Sequence, residues 1–278
     1  MVDLHLHTNF SDGEDNCLIL IDKLKAMHIT AFSITDHDTI EGNKEINKFD
    51  LQGLSFISGV EVSSIFKGIQ CHLLGYDFDI VHPEIEKLMK KAKDNRQKKI
   101  DSVLDYLNNA FQITFTEKEI AGLRALPNCG RPHFAKVMIN KGYGQTITEI
   151  FDKYLNKFKS PDLKIQAVEV IKAIKEAGGI VSLAHPLEVI RENKITAKEL
   201  DNLIKELKNI GLEALECYHS VHDEEHTNYY LELAENLGLA VSGGSDYHGD
   251  AKPNVKLGKL NITSDQLSIF KLFRGVKK

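Results

Sequence analysis

The 278-residue sequence is poor in cysteine, having only Cys17, Cys71, Cys129 and Cys217, and no two of them form a CxxC pair. That excludes a disulfide-stapled secreted scaffold and argues against a purely structural, thiolate-bound zinc site. The thiols are expected to be reduced and mostly buried, in a cytoplasmic protein. No apolar stretch reaches the roughly 18 residues that a membrane helix needs. A strand-like pattern begins at Val2, which leaves no room for a signal peptide. Positive charge is not in excess, since the net charge is −5, which argues against binding of nucleic acid by bulk electrostatics and leaves only local basic patches for it. Internal repeats and low-complexity tracts are also missing. With 42% hydrophobic and 27% charged residues the chain is not disordered, and its length suits one large α/β domain or a core with a smaller insertion. What is abundant is histidine. There are 12, several of them packed beside carboxylates in short segments.

Short apolar runs alternate with helical patterns. Val2, Leu4 and Leu6 alternate with Asp3, His5 and His7, which is the period of a strand. A helix around 18–27 follows, then strands over 31–35, 54–62 and 69–76. Further strands are expected at 179–184, 212–218 and 239–242, each preceded by an amphipathic helix that ends at glycine: Gly178, Gly211 and Gly238. Such alternation implies parallel pairing through right-handed crossovers. About seven strands fit, so the expected α/β fold is a closed β/α barrel, with an open doubly wound sheet as second choice. Between His82 and Asp162 the pattern turns to helices alone. The expected organisation is a first barrel part over 1–81, a helical insertion over 82–162 acting as a lid, and a second barrel part over 163–278.

The strand ends carry one residue chemistry. The first runs into DLHLHT, with His5 and His7 on one face and Asp12 in the turn beyond. The following ones run into TDHDT, with His37, and GVEVS, with Glu61; the next contains His72. After the insertion come LAHP, with His185, then Tyr218 and His219, then GGSDYHG, with Asp246 and His248. In a parallel barrel these ends meet at one mouth. Six imidazoles and three carboxylates gathered there are too polar to bury unpaired, and divalent cations resolve that cost. Singly, each has an ordinary explanation: a solvated strand face for an HxH, a helix cap for Asp12, a core histidine for His72. Recurrence at nearly every strand end decides for metal.

HxH, TDHD, an isolated Glu, AHP and SDxH, in this order across essentially the whole chain, resemble the PHP family, named for polymerase and histidinol phosphatases. The resemblance implies a distorted, TIM-barrel-like (β/α)7 barrel and a trinuclear metal site, and imidazole with carboxylate suits manganese, zinc or iron. It implies one metal on His5, His7, Glu61 and Asp246, a second on Glu61, His72 and His185, and a third on Asp12, His37 and His248. The segment GRPHFA, 130–135 in the insertion, resembles the branch that acts on nucleotides and short RNA, the nucleoside 3′,5′-bisphosphate phosphatases and 5′-3′ exoribonucleases. Arg131 would then clamp a substrate phosphate bidentately; its ordinary reading is a helix start shaped by Pro132.

The expected chemistry is attack of a metal-bridged hydroxide on phosphorus. His219, outside the ligand set, is a candidate phosphate contact or proton donor. Arg96 continues the apolar stripe of a Lys-rich helix starting at Pro83 and is a candidate substrate contact, whereas the lysines read first as a solvated face. His222 and His226 are expected on an exposed helix. The expected partner is a nucleotide or short RNA, with no membrane and no obligate protein. The rival readings are a small-molecule phosphatase, such as one for histidinol phosphate, and a non-catalytic metal- or nucleic-acid-binding module.

Overall fold

The computed structural model describes residues 1–127, 129–161 and 163–274, and the chain divides into two units, 1–90 with 165–278, and 91–164. The boundary expected at Asp162 lies outside the described residues.

In the first unit β1 (Val2–Leu6) pairs in parallel with β2 (Ala31–Ile34), and β2 with the start of β3 (Ser55–Phe66). Helix α1 (Cys17–Ala26) links β1 to β2, capped by Asn16, whose side chain accepts from the Ile19 N–H, and α2 (Glu41–Ile46) links β2 to β3. Cys17, Leu20, Ile21 and Leu24 of α1 are buried with Leu6, Phe32 and Ile34. β4 (Ile69–Tyr76) then pairs antiparallel with β3. The turn between them is Lys67-Gly68, with φ of 50° and 85°, as in the two-residue hairpins that match strand twist.

From there α3 (Pro83–Phe111) leads into the second unit, which adds α4 (Glu117–Ala125), α5 (Arg131–Asn140), α6 (Ile147–Ile150) and a π-helical turn at Phe151–Leu155. Thr116 and Glu119 form a capping box at α4. Ile100, Val103, Leu107, Leu123, Phe134, Met138 and Ile150 make this unit's own core.

The chain re-enters the first unit through β5 (Ile165–Gln166), a short parallel addition to β3. Then follow α7 (Ala167–Glu176), β6 (Ile180–Leu183), α8 (Pro186–Asn193), α9 (Ala197–Asn209), β7 (Ala214–His219), α10 (Glu224–Leu237) and β8 (Ala240–Gly244). The sheet order is β1-β2-β3-β4-β6-β7-β8, and β8 comes back to β1. There the Asp246 N–H donates to His5 O and the His7 N–H to Tyr247 O, both at 2.9 Å. The result is a nearly closed seven-stranded barrel. Gly244 lets the edges meet, because a Cβ there would run into the His5 backbone.

One expectation fails. Pairing is not parallel throughout, since β4 runs antiparallel to both β3 and β6. The physical reason is length: a parallel return needs a crossover of a dozen residues or more, and Lys67-Gly68 offers only a hairpin. His72 therefore stands inside β4 rather than past the end of a parallel strand. Among the described residues no helix is long and apolar enough to cross a membrane, and the four cysteines are free and buried.

Candidate metal centre

Glu61, fully buried on β3, is the point on which the site converges. Its Oε1 lies 2.8 Å from His72 Nδ1 and 2.8 Å from His185 Nε2. Its Oε2 lies 3.1 Å from His5 Nε2, 3.1 Å from His7 Nε2 and 3.3 Å from His37 Nδ1. The two oxygens thus face two different imidazole sets. Asp246 Oδ1 stands 3.1 Å from His7 Nε2 and 3.5 Å from His5 Nε2. Asp12 Oδ1 is 3.3 Å from His248 Nε2 and 3.5 Å from His7 Nδ1. All nine expected ligand residues are accordingly brought together in the first unit. Two groupings of ligand atoms are close enough to share an ion as expected in part or whole: His5, His7, Glu61 and Asp246; and His7, Asp12, His37 and His248, where His7 is an addition. A third is His37, Glu61 and His72, so that His37 stands where His185 was expected.

The donor set suits divalent cations. A carboxylate has about four lone-pair sites, fewer than the ring nitrogens crowded on Glu61. His7 Nε2 and His248 Nε2 are buried and make no hydrogen bond, despite the nearby carboxylates. Orphaned buried nitrogens facing carboxylate oxygens are what ligands around an ion look like. Their proton affinities are pulled apart. Burial pushes the His37 imidazole down to about 3, leaving it neutral. For His7, burial is outweighed by the nearby Asp246 and Glu61 carboxylates, which push it up to about 9. Burial would also raise Glu61, yet its interactions with the surrounding imidazoles, the His185 hydrogen bond among them, hold it well below the usual carboxylate range.

Local backbone serves the same gathering. Asp36 accepts from Thr8 N and Oγ1 and from Ser11 Oγ, each at 2.7 Å, which pins the loop that carries Asp12 beside β2. His185 and Asp246 have positive φ, 26° and 58°, a region costly for residues with a Cβ.

His219 ends β7, is buried, and its Nε2 lies 3.7 Å from Asp246 Oδ2. Its Nδ1 accepts from the Val221 N–H at 3.2 Å, so a neutral ring carries its proton on Nε2, toward the centre. Arg131 and Arg96 belong to the second unit. Arg131 opens α5; its guanidinium sits 5.4 Å over the Phe151 ring and donates to Leu155 O at 3.4 Å. Arg96 is half-buried on α3. His222 departs from expectation: it precedes α10, is half-buried, and its Nδ1–H donates to Cys217 O at 2.9 Å. Only His226 is on that helix.

Two residues escape a strand-end reading. Glu216 is fully buried and accepts from His5 Nδ1–H at 2.8 Å; the available signal was a lone carboxylate inside the apolar run 214–217. Lys252, exposed, donates to Asp246 Oδ2 at 2.8 Å, and no pattern in its loop marks it.

The profile of the PHP domain matches residues 3–248. The chain belongs to the PHP domain family. A 5′-3′ exoribonuclease of Haemophilus influenzae is 29% identical to it over 252 residues, covering 88% of this chain and 89% of that protein. A 3′,5′-nucleoside bisphosphate phosphatase of Chromobacterium violaceum is 26% identical over 272 residues, covering 92% and 90%. A crystal structure from Bifidobacterium adolescentis assigned as a metal-dependent phosphoesterase superposes with a TM-score of 0.74 at 26% identity, over 95% of this chain and 93% of that one. The relatives thus match the PHP chain nearly end to end, insertion included.

Proposed function

We propose that this PHP protein hydrolyses phosphate esters of nucleotides, taking nucleoside 3′,5′-bisphosphates or the 5′ ends of short RNA. The observation that carries the reading is the Glu61 carboxylate, buried with imidazoles on both oxygens. His5, His7, Glu61 and Asp246 hold one divalent cation, Glu61 with His72 and His185 a second, and Asp12, His37 and His248 a third. Manganese, zinc and iron all suit imidazole and carboxylate. Bound there, the cations supply Lewis acidity toward phosphoryl oxygens and a nucleophile of lowered pKa.

The protein's own groups do the rest. Glu61 and Asp246, both held ionised, would offset the charge of bound cations. The His219 Nε2–H faces the centre and delivers a proton to the departing oxygen or a hydrogen bond to the phosphoryl group. Lys252 keeps Asp246 Oδ2 occupied, so that Oδ1 is the oxygen left for the ring-nitrogen side. Arg131 and Arg96 of the helical unit are proposed phosphate contacts. The names of the relatives favour nucleotide and RNA substrates over histidinol phosphate. Reduced, buried thiols fit a cytoplasmic setting.

The test is phosphate or nucleotide release with added manganese and with chelator, from adenosine 3′,5′-bisphosphate, AMP, 5′-phosphorylated short RNA, a ribose cyclic phosphate and histidinol phosphate. Turnover of the bisphosphate or RNA that chelator abolishes and His185→Ala removes is the expected result. Turnover of histidinol phosphate alone would overturn the substrate class. RNA binding without any hydrolysis would make the protein a binding module.

A further inference from the structure

The Glu216 carboxylate touches two expected ligand residues in two different ways. Oε1 accepts from His5 Nδ1–H at 2.8 Å, and Oε2 accepts from the His185 backbone N–H at 2.6 Å. The first bond selects a tautomer. With its Nδ1 proton on Glu216, a neutral His5 ring presents an unprotonated Nε2 to the centre, where Glu61 and Asp246 stand. The second bond holds a backbone. His185 sits at φ 26°, ψ 64°, a conformation few residues with a Cβ occupy, and it stands two residues past the end of β6, so its N–H has no strand partner to replace Glu216. β7 places Glu216 opposite Ser242 on β8, between the strands that deliver His185 and Asp246.

We infer that Glu216 is the positioning residue of the metal centre: one buried carboxylate sets which nitrogen of His5 is available and clamps His185 in its strained backbone. The inference rests on the reading of His5 and His185 as metal ligands. Glu216 itself is not a ligand. His5, Glu216 and His219 do lie close enough to share an ion, but an ion there would have to break the His5–Glu216 bond and compete with the His185 N–H.

Glu216→Gln separates the two roles with one atom. The amide has a single acceptor oxygen. If it stays with the His185 N–H, the NH2 group faces His5 Nδ1, which must then accept, and the His5 proton moves to Nε2. The ligand nitrogen is blocked while the shape is kept. Binding of manganese and of zinc alone is measured by competition against a chromophoric chelator for the wild type, Glu216→Gln and His7→Ala. The expected result is a loss of about 10- to 100-fold in affinity for Glu216→Gln, as for other partners behind a ligand histidine. Unchanged affinity in Glu216→Gln beside weakened binding in His7→Ala overturns the inference and leaves the metal site standing. Unchanged affinity in both variants overturns the metal-site reading, and the inference with it. Should Glu216→Gln not fold, the zinc-loaded wild type decides by nitrogen-15 NMR of its histidines. A proton on His5 Nδ1 with Nε2 unprotonated is expected, and the reverse overturns the proposal.

Discussion

The two units have opposite interiors. Every buried polar or charged residue described, from Asp3 and His5 to Asp246 and His248, belongs to the barrel unit, and the helical unit buries only apolar side chains such as Leu107, Phe134 and Met138. Burial stabilises such an interior by about 25 cal/mol per Å2 of apolar surface removed from water. The barrel mouth gathers carboxylates and imidazoles that cost energy until something compensates them. One interior is apolar throughout; the other has the donor groups that suit divalent cations.

The sharpest way to break this comparison is to truncate a core residue of each kind. Phe134→Ala is expected to destabilise the helical unit by about 3–5 kcal/mol, read by urea unfolding, with manganese affinity in the folded protein unchanged. Altered affinity would mean that the two interiors are not separate. Glu61→Gln is expected to cut turnover by about 10²- to 10³-fold, with metal content falling in parallel. A Glu61→Gln protein that keeps its metal and its rate would dismiss Glu61 as a ligand shared by two cations. Cations at 100 times their dissociation constant should add about 2.7 kcal/mol to stability. Calorimetry with manganese and with chelator should place that gain in the barrel transition; an equal gain in the helical one contradicts the comparison.

The smallest effect concerns a thiol. Burial pushes the Cys17 thiol up to about 12 from an ordinary value of 9.0. The proton is held more tightly in the folded state, so this contribution to stability is present below pH 9 and is lost as pH rises toward 12. The fall in melting temperature across that window should be shallower in Cys17→Ala, and an identical fall would assign the alkaline sensitivity elsewhere.

Much of the barrel was legible because its signals are local. Gly178, Gly211 and Gly238 mark helix ends, and His5 and His7 share a face by strand period alone. The residues around Glu61 were readable because each stands at or near a strand and each is a ligand type. What escaped was either relational or misweighed. The direction of β4 was missed because the strand expected to stop at 62 runs on to Phe66, which shortens its connection to β4 to Lys67-Gly68. Glu216 acts through partners 211 and 31 residues away in sequence, and no pattern within the 214–217 run announces such contacts. Lys252 has no periodicity to mark it. His222 was misplaced because a polar cluster beside a helix looks like the helix itself.

The positive φ of His185 and Asp246 bears on how this protein can change over time. At each position glycine would relax the backbone, and asparagine at 246 would tolerate it. Drift toward greater stability therefore runs directly against retention of the ligand, and a library selected for thermal resilience alone should accumulate His185→Gly early. Variants of that kind would express well, survive heating and do nothing. Activity must be screened together with stability from the first round, because at these two positions the sturdier sequence and the working one are different sequences.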